Sequence, residues 1–228
     1  MIKTSPSIKL PSHVLEKCSQ LPEKPDSVTL LGQYVCLQPL VITRDAKPLF
    51  EASNGNPMTL GKRSIGHYDS DALIWHYMFD GPFENETAFA SSLTPYVNAP
   101  NGLCFCVVDL ASERPVGIAN FMNNSPSHLK IELDGIWYSP IVQRTQANTE
   151  ATYLMLKHAF DLGYRRVEWK CDAQNERSCQ AALRMGFKFE GIHENHMIMK
   201  ERNRDTAWFR LLECEWPEVR HKHPLSSL

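Results

Sequence analysis

No stretch of this chain of 228 residues stays apolar for the about 18 residues that a membrane-spanning helix needs. Neither sign of charge dominates. The 24 basic and 26 acidic residues give a net charge of −2, which argues against a broad basic face for nucleic acid but leaves room for a local basic pocket. The opening Met1-Ile2-Lys3-Thr4-Ser5-Pro6 has no apolar segment of the secretory-signal kind. The seven cysteines, Cys18, Cys36, Cys104, Cys106, Cys171, Cys179 and Cys214, are odd in number and form no Cys-x-x-Cys pair. Neither a zinc site nor a disulfide framework is therefore expected, and a reduced, cytoplasmic setting fits. Cys104 and Cys106 flank Phe105, so strand alternation puts both on one face as buried thiols. Repeats and low-complexity tracts are absent. What is present is an ordinary globular balance, 43% hydrophobic and 22% charged, at a length that suits one domain with an arm.

Residues 1–26 hold four prolines and four serines and read as an irregular arm with one helical turn near His13–Cys18. Val28–Leu37 reads as a strand or hairpin closed by Pro39. Ile42–Ala52, Asp69–Met78 and Asn85–Tyr96 have helical spacing, the second stopped by Phe79-Asp80-Gly81-Pro82. Leu103–Leu110, Val116–Met122 and Leu129–Tyr138 are three strands joined by short turns, an antiparallel meander. A helix over Thr149–Leu162 stops at Gly163. A strand over Arg166–Cys171 and a helix over Asn175–Met185, closed by Gly186, follow. Phe187–Lys200 and Thr206–Glu215 end the chain as a hairpin. Helix–strand alternation beside a meander predicts a mixed α/β (α+β) architecture, a mixed sheet carrying helices.

The stretch Gln143-Arg144-Thr145-Gln146-Ala147-Asn148 joins a strand to a helix opened by Thr149-Glu150-Ala151. Such a helix start presents unpaired N–H groups and the positive end of the dipole to an anion such as phosphate, and Arg144 adds a charge. Asn148 or Thr149 acting as a plain N-cap accounts for the same residues. Asn175 reads as the cap of the next helix, with Ser178 in its first turn. His193 and His196 are spaced His-x-x-His, but strand alternation sets them on opposite faces, so no metal pair is expected.

These segments together resemble the GNAT superfamily of acyl-CoA-dependent N-acetyltransferases, in particular its RimJ/RimL-like branch. Gln143–Asn148 followed by Thr-Glu-Ala is similar to the superfamily's pyrophosphate loop. Asn175-x-x-Ser178-x-x-Ala181, with Gly186-Phe187 and Glu190-Gly191, is similar to its second cofactor motif. An uncharacterised subgroup shares Leu37-x-Pro39-Leu40, Ile74-Trp75-x-Tyr77, Gly81-Pro82-Phe83, Ile136-Trp137-Tyr138-Ser139-Pro140, Gly163–Lys170 and Asn203–Phe209. The resemblance spans residues 28–217. It implies a three-layer fold with a mostly antiparallel sheet of about seven strands, splayed at its centre, and helices on both faces. A domain over 27–217 would lie between the arm and a tail at 218–228.

The resemblance also implies acetyl transfer from acetyl-CoA to a primary amine by direct attack in a ternary complex, with no metal. The splayed strands would be Leu129–Tyr138 and Arg166–Cys171, with Pro140 favouring the break. Cofactor contacts would come from Trp137, Tyr138, Gln143, Arg144, Thr145, Gln146, Ala147, Asn148, Thr149, Asn175 and Ser178. The superfamily loop has small residues where this chain has Gln146 and Asn148. That points to an altered cradle in which the side chains of Gln143, Arg144 and Thr145 assist the backbone. An alkylammonium with a pKa of about 10.4 is only about 10⁻³ free amine at pH 7, so a carboxylate is sought as base. Glu132 and Asp134 are the candidates on one strand face, Glu132 ahead because the family commonly has Gly at Asp134. Ser178 replaces the tyrosine that many relatives place beside the leaving thiolate. Trp75, Tyr77 and Trp208 are candidate acceptor contacts. The expected partners are acetyl-CoA and an amine acceptor, with the chain a monomer or homodimer. A non-catalytic acyl-CoA or nucleotide sensor, or an interaction protein on the same fold, is the alternative.

Overall fold

A computed structural model describes residues 9–222. The Met1–Pro6 segment, the start of the expected arm and residues 223–228 of the expected tail lie outside the described residues. In chain order the elements are α1 (Ser12–Gln20), β1 (Leu30–Leu31), β2 (Val35–Pro39), α2 (Ile42–Glu51), β3 (Met58–Leu60), β4 (Arg63–Ile65), a single wide helical turn at Asp71–Trp75, α3 (Glu86–Val97), β5 (Leu103–Asp109), β6 (Arg114–Ser125) and β7 (Lys130–Tyr138). Then come α4 (Gln146–Leu162), β8 (Arg166–Asp172), α5 (Glu176–Arg184), β9 (Lys188–Met199), β10 (Arg202–Leu212) and α6 (Trp216–Lys222).

The main sheet has eight strands in the order β1-β2-β5-β6-β7-β8-β10-β9, one more than expected because the first strand run folds into a hairpin of two. Every neighbour pair in it is antiparallel except β7–β8. One face packs on α4, α5 and α6 through Phe105, Phe121, Leu133, Val167, Trp169 and Phe209, with Tyr153 and Met155 of α4 fully buried. The other face meets α2 and α3 through Cys104, Cys106, Ile118 and Trp137. Burial pushes both of those thiols well above the ordinary range, so they are neutral core groups. The result is three layers with helices on both sides of the sheet.

Several elements differ from the sequence reading. The arm carries a nine-residue helix rather than one turn, and it is tied down. Asn124 Nδ2 donates to the carbonyls of Pro22 and Glu23, Lys24 Nζ donates to Val97 O, and Leu21 packs against the core. The helix expected over Asp69–Met78 shrinks to Asp71–Trp75. The hairpin β3–β4 and α6 carried too few periodic residues to be read in advance.

One buried carboxylate joins the first hairpin to the central helix. Glu150, the fifth residue of α4, is fully buried and accepts the backbone N–H groups of Gln33, Tyr34 and Val35, each at 2.7 Å. Gly32 makes room for it: a Cβ there would stand 2.3 Å from the Glu150 carboxyl carbon. Charge-assisted bonds to three convergent donors offset the desolvation of the carboxylate. Replacing Glu150 with Ala orphans all three donors, so a loss of about 3 kcal/mol is expected in urea unfolding, with Glu150→Gln intermediate. A loss below about 1 kcal/mol for the alanine variant would show that the hairpin holds without this clamp.

Candidate active site

β7 and β8 are paired only from Lys130–Arg166 to Leu133–Trp169. Beyond that point Asp134–Tyr138 belongs to β6 alone, and Lys170–Asp172 to β10 alone. The strands part because β7 carries a bulge. Asn120 of β6 is opposite Asp134, but Ile118 is opposite Trp137, so two β7 residues face Ala119. Gly135 supplies the positive φ of 58°. Asn120 Nδ2 locks the bulge by donating to the carbonyls of Asp134 and Gly135, at 3.2 and 3.1 Å. A Cβ on Gly135 would lie 2.5 Å from that nitrogen. Through this irregularity Glu132, Asp134 and Trp137 come to share one face.

The parted strands open into a groove of ≈ 1840 Å³. Its walls include the tip of the β1–β2 hairpin, the end of β7, the strand-to-helix loop, Trp169 and the start of α5. Trp137, Tyr138, Tyr77, Gln143, Arg144, Thr145, Gln146, Ala147, Asn148, Thr149, Asn175 and Ser178 all line it. Helix α4 begins at Gln146, three residues earlier than expected, so Thr145 is the cap in place of Asn148 or Thr149. Thr145 Oγ1 accepts from Ala147 N and donates to Val142 O. Gln143 Nε2 donates to Leu73 O and Tyr138 O. These two side chains brace the loop and are not free to assist a cradle, which corrects the expectation for both. Asn148 Oδ1 accepts from Thr152 Oγ1 within the helix. Arg144 differs: it is exposed, at φ 62°, with no hydrogen-bond or ion-pair partner among the described residues. The α4 start thus offers open N–H groups beside a free guanidinium.

On the opposite wall Asn175 Oδ1 accepts from Ser178 N and caps α5. Ser178 Oγ accepts from Trp169 Nε1 at 3.1 Å, and its own O–H is within reach of the neighbouring Cys171 thiol. Trp169, a member of the last β7–β8 pair, is a positioning group that sequence reasoning passed over; its place beside a strand break was the only available signal. Tyr77 O–H donates to Gln174 O, and Arg177 to Ala72 O, fastening the wide turn to this wall. Burial pushes the Tyr138 phenol far up, so it stays neutral.

The remaining candidates lie off the groove. Glu132 is fully buried, 2.6 Å from Lys170 Nζ and accepting from Asn123 Nδ2 at 2.8 Å, while its second oxygen has no partner. Asp134 is partly buried at the root of the opening and accepts from Gly135 N. Burial, and then the Glu132 charge, push its carboxyl up to about 6. Trp208 sits under Lys170, whose ammonium is 4.3 Å from the ring centre. Trp75 is a core residue, 4% exposed, with its indole N–H spent on Ser53 O and its ring on Trp137 and Phe83; it offers no surface to an acceptor. His193 and His196 share a face after all. Extra β9 residues between them, with Asn195 at φ 50°, shift the register, and both rings lie against Trp208. Among the described residues no group of three or more His, Cys, Asp or Glu is placed to hold a metal. No helix in them is long and apolar enough to cross a membrane.

A family model described as an acetyltransferase (GNAT) domain matches residues 35–188. The chain is similar to the crystal structure of a GCN5-related N-acetyltransferase from Brucella melitensis, at 36% identity over 87% of this chain and 84% of that one, TM-score 0.78. It is similar also to a probable acetyltransferase (GNAT family) from Chromobacterium violaceum ATCC 12472, at 33% identity over 95% and 100%, TM-score 0.80. At 18% identity, over 79% and 93%, it shares the fold of the microcin C7 self-immunity acetyltransferase MccE, solved with acetyl-CoA and AMP, TM-score 0.65. No curated protein matches it.

The bulge makes a quantitative statement about Gly135. Gly135→Ala meets both the Cβ penalty of positive φ and the Asn120 side chain, so a loss of about 2 kcal/mol or more is expected. In an Asn120→Ala background the steric part vanishes and only about 1 kcal/mol should remain. A double-mutant cycle by chemical unfolding measures the difference; strict additivity would mean that Asn120 does not hold the bulge.

Proposed function

The chain belongs to the GNAT acetyltransferase family and is an N-acetyltransferase, and from that premise we propose that it moves acetyl from acetyl-CoA to an amine held on the Asp134 face of the sheet. One observation carries the assignment: the Asp134 carboxyl stands at the first β7 position past the last β7–β8 pair, where the two strands part, and burial raises it to about 6. The residues fit the thioester co-substrate. The groove runs from the parted end of β7 and Trp169 of β8 to the α4 start, where Arg144 is free.

Bound there, acetyl-CoA would supply an electrophilic thioester carbon. The chain's own groups do the rest. Arg144 and the open N–H groups of the first α4 turn hold the pyrophosphate. Ser178 O–H donates a hydrogen bond toward the sulfur; a hydroxyl is too weak an acid to be a full proton donor at neutral pH. Asp134 takes the proton that the ammonium must lose, directly or through a water. Glu132, ranked ahead on sequence, is held by Lys170 and Asn123 in a dry position; its part is to raise the Asp134 carboxyl by its charge. Trp137 and Tyr138 form the inner wall, and Tyr77 holds the outer one. The RimJ/RimL-like placement rests on the sequence motifs alone.

Two measurements test this reading. Below about pH 6 Asp134 is protonated and accepts nothing, so kcat/KM for an amine should fall as pH drops through about 6. Asp134→Asn should remove that limb and lower the rate by about 10²-fold; an unchanged profile would assign the base elsewhere. Arg144→Glu should weaken acetyl-CoA binding about tenfold, or about 1.4 kcal/mol, and flatten its salt dependence. Calorimetry reads both, and equal affinity would move the pyrophosphate off this loop.

A further inference from the structure

Arg204 is a buried cation without an anion. It stands on β10 opposite Met197 of β9, two residues before Thr206, which pairs with Asp172 at the end of β8. Alternation along β10 sets Arg204 on the side of Thr206 and Trp208, and Trp208 is opposite Lys170. Arg204 therefore belongs to the face that carries Glu132 and Asp134. It is only 6% exposed. Its guanidinium carbon lies 4.8 Å from the centre of the Phe79 ring, one terminal nitrogen donates to the Met199 thioether at 3.6 Å, and Nε is buried with no partner. No carboxylate of the described residues lies within ion-pair distance, and the second terminal nitrogen has no protein acceptor.

A thioether is a weak acceptor, and a ring face offsets only part of a guanidinium's desolvation. Buried charges are normally paired, because an unpaired one destabilises the fold. The arginine is thus chemically incomplete as it stands. Its charge is felt at Asp134, where it works against the effect of burial. It is not part of the groove that takes the co-substrate, so the phosphates of that ligand do not complete it. Phe79, at 43% exposed, puts the guanidinium beside the surface.

We propose that Arg204 receives an anionic group, carboxylate or phosphate, carried by the amine acceptor itself. The acceptor is then a zwitterion, with its ammonium toward Asp134 and its anion on the arginine fork, whose flat donor set matches both oxyanions. This deepens the acetyl-transfer reading and rests on it for the identity of the ligand.

The test is equilibrium binding, by calorimetry with and without excess CoA. The probes are the N-acetyl-L-amino acids against their neutral carboxamides, with N-acetylphosphoethanolamine against N-acetylethanolamine as the phosphate arm. At least one acid or the phosphate should bind tenfold or more tighter than its neutral partner, and the arm that does so names the anion. Arg204→Met should bring that ratio close to one without lowering Tm, since it removes an unpaired buried charge; Arg204→Lys should keep part of it. Equal binding of charged and neutral partners in the wild type, or an unchanged ratio in Arg204→Met, overturns the proposal. If the methionine variant does not fold, the wild-type ratios and the lysine variant decide. Discrimination without any acetyl transfer would remove the catalytic reading of Asp134 and leave the anion site standing.

Discussion

Four residue pairs hold β7 to β8, and the rest of the molecule is organised around their ending at Leu133–Trp169. Past that point each strand keeps one neighbour and loses the other, so two inner edges present unpaired N–H and C=O groups. Buried backbone groups need partners, and an extended, amide-bearing ligand can supply them as an added strand would. The parting is enforced from outside the gap. Asn120 holds the β7 bulge from β6, β10 holds the far end of β8, and the Glu150 clamp fixes the hairpin that completes the groove. Three rigid neighbours thus keep an opening that the two strands by themselves would close.

The same geometry divides the charged groups into two kinds. Some are spent. Glu132 is matched by Lys170, and Lys170 in turn rests on Trp208, so this unit is close to neutral and sets a field without being available to a substrate. Others are unspent: Asp134, whose carboxylate accepts only from the neighbouring Gly135 N–H among the described residues, Arg144 at the helix start, and Arg204 over Phe79. The three lie on different elements: Arg144 lines the groove, while Asp134 and Arg204 lie off it.

Regular periodicity was readable. Helices α2 and α3, the meander and the Asn175 cap all follow from spacing that local chemistry sets. What failed was whatever a bulge or a distant partner decides. Asn148, Thr149 and Thr145 are all capping types, and only the closing bond from Thr145 to Val142 selects among them. His193 and His196 were separated by an alternation that Asn195 breaks. Trp75 carries aromatic surface like any site tryptophan, yet its indole meets Ser53 across 22 residues. Arg204 lies within a motif that was read, but an arginine with an anion and one without are spelled alike.

The sequence by itself determined the order of the elements, which follows from local propensity and hydrophobic period, and, through motifs that resemble those of a known family, the residue types at the opening. The tertiary structure alone decided which of those side chains are free. Gln143 is consumed by a carbonyl 70 residues away, and Glu150 by amides more than 110 residues away. Each hydrogen-bonding group can satisfy only partners that the fold brings within about 3 Å, and that distance is set by chain crossings no local pattern encodes.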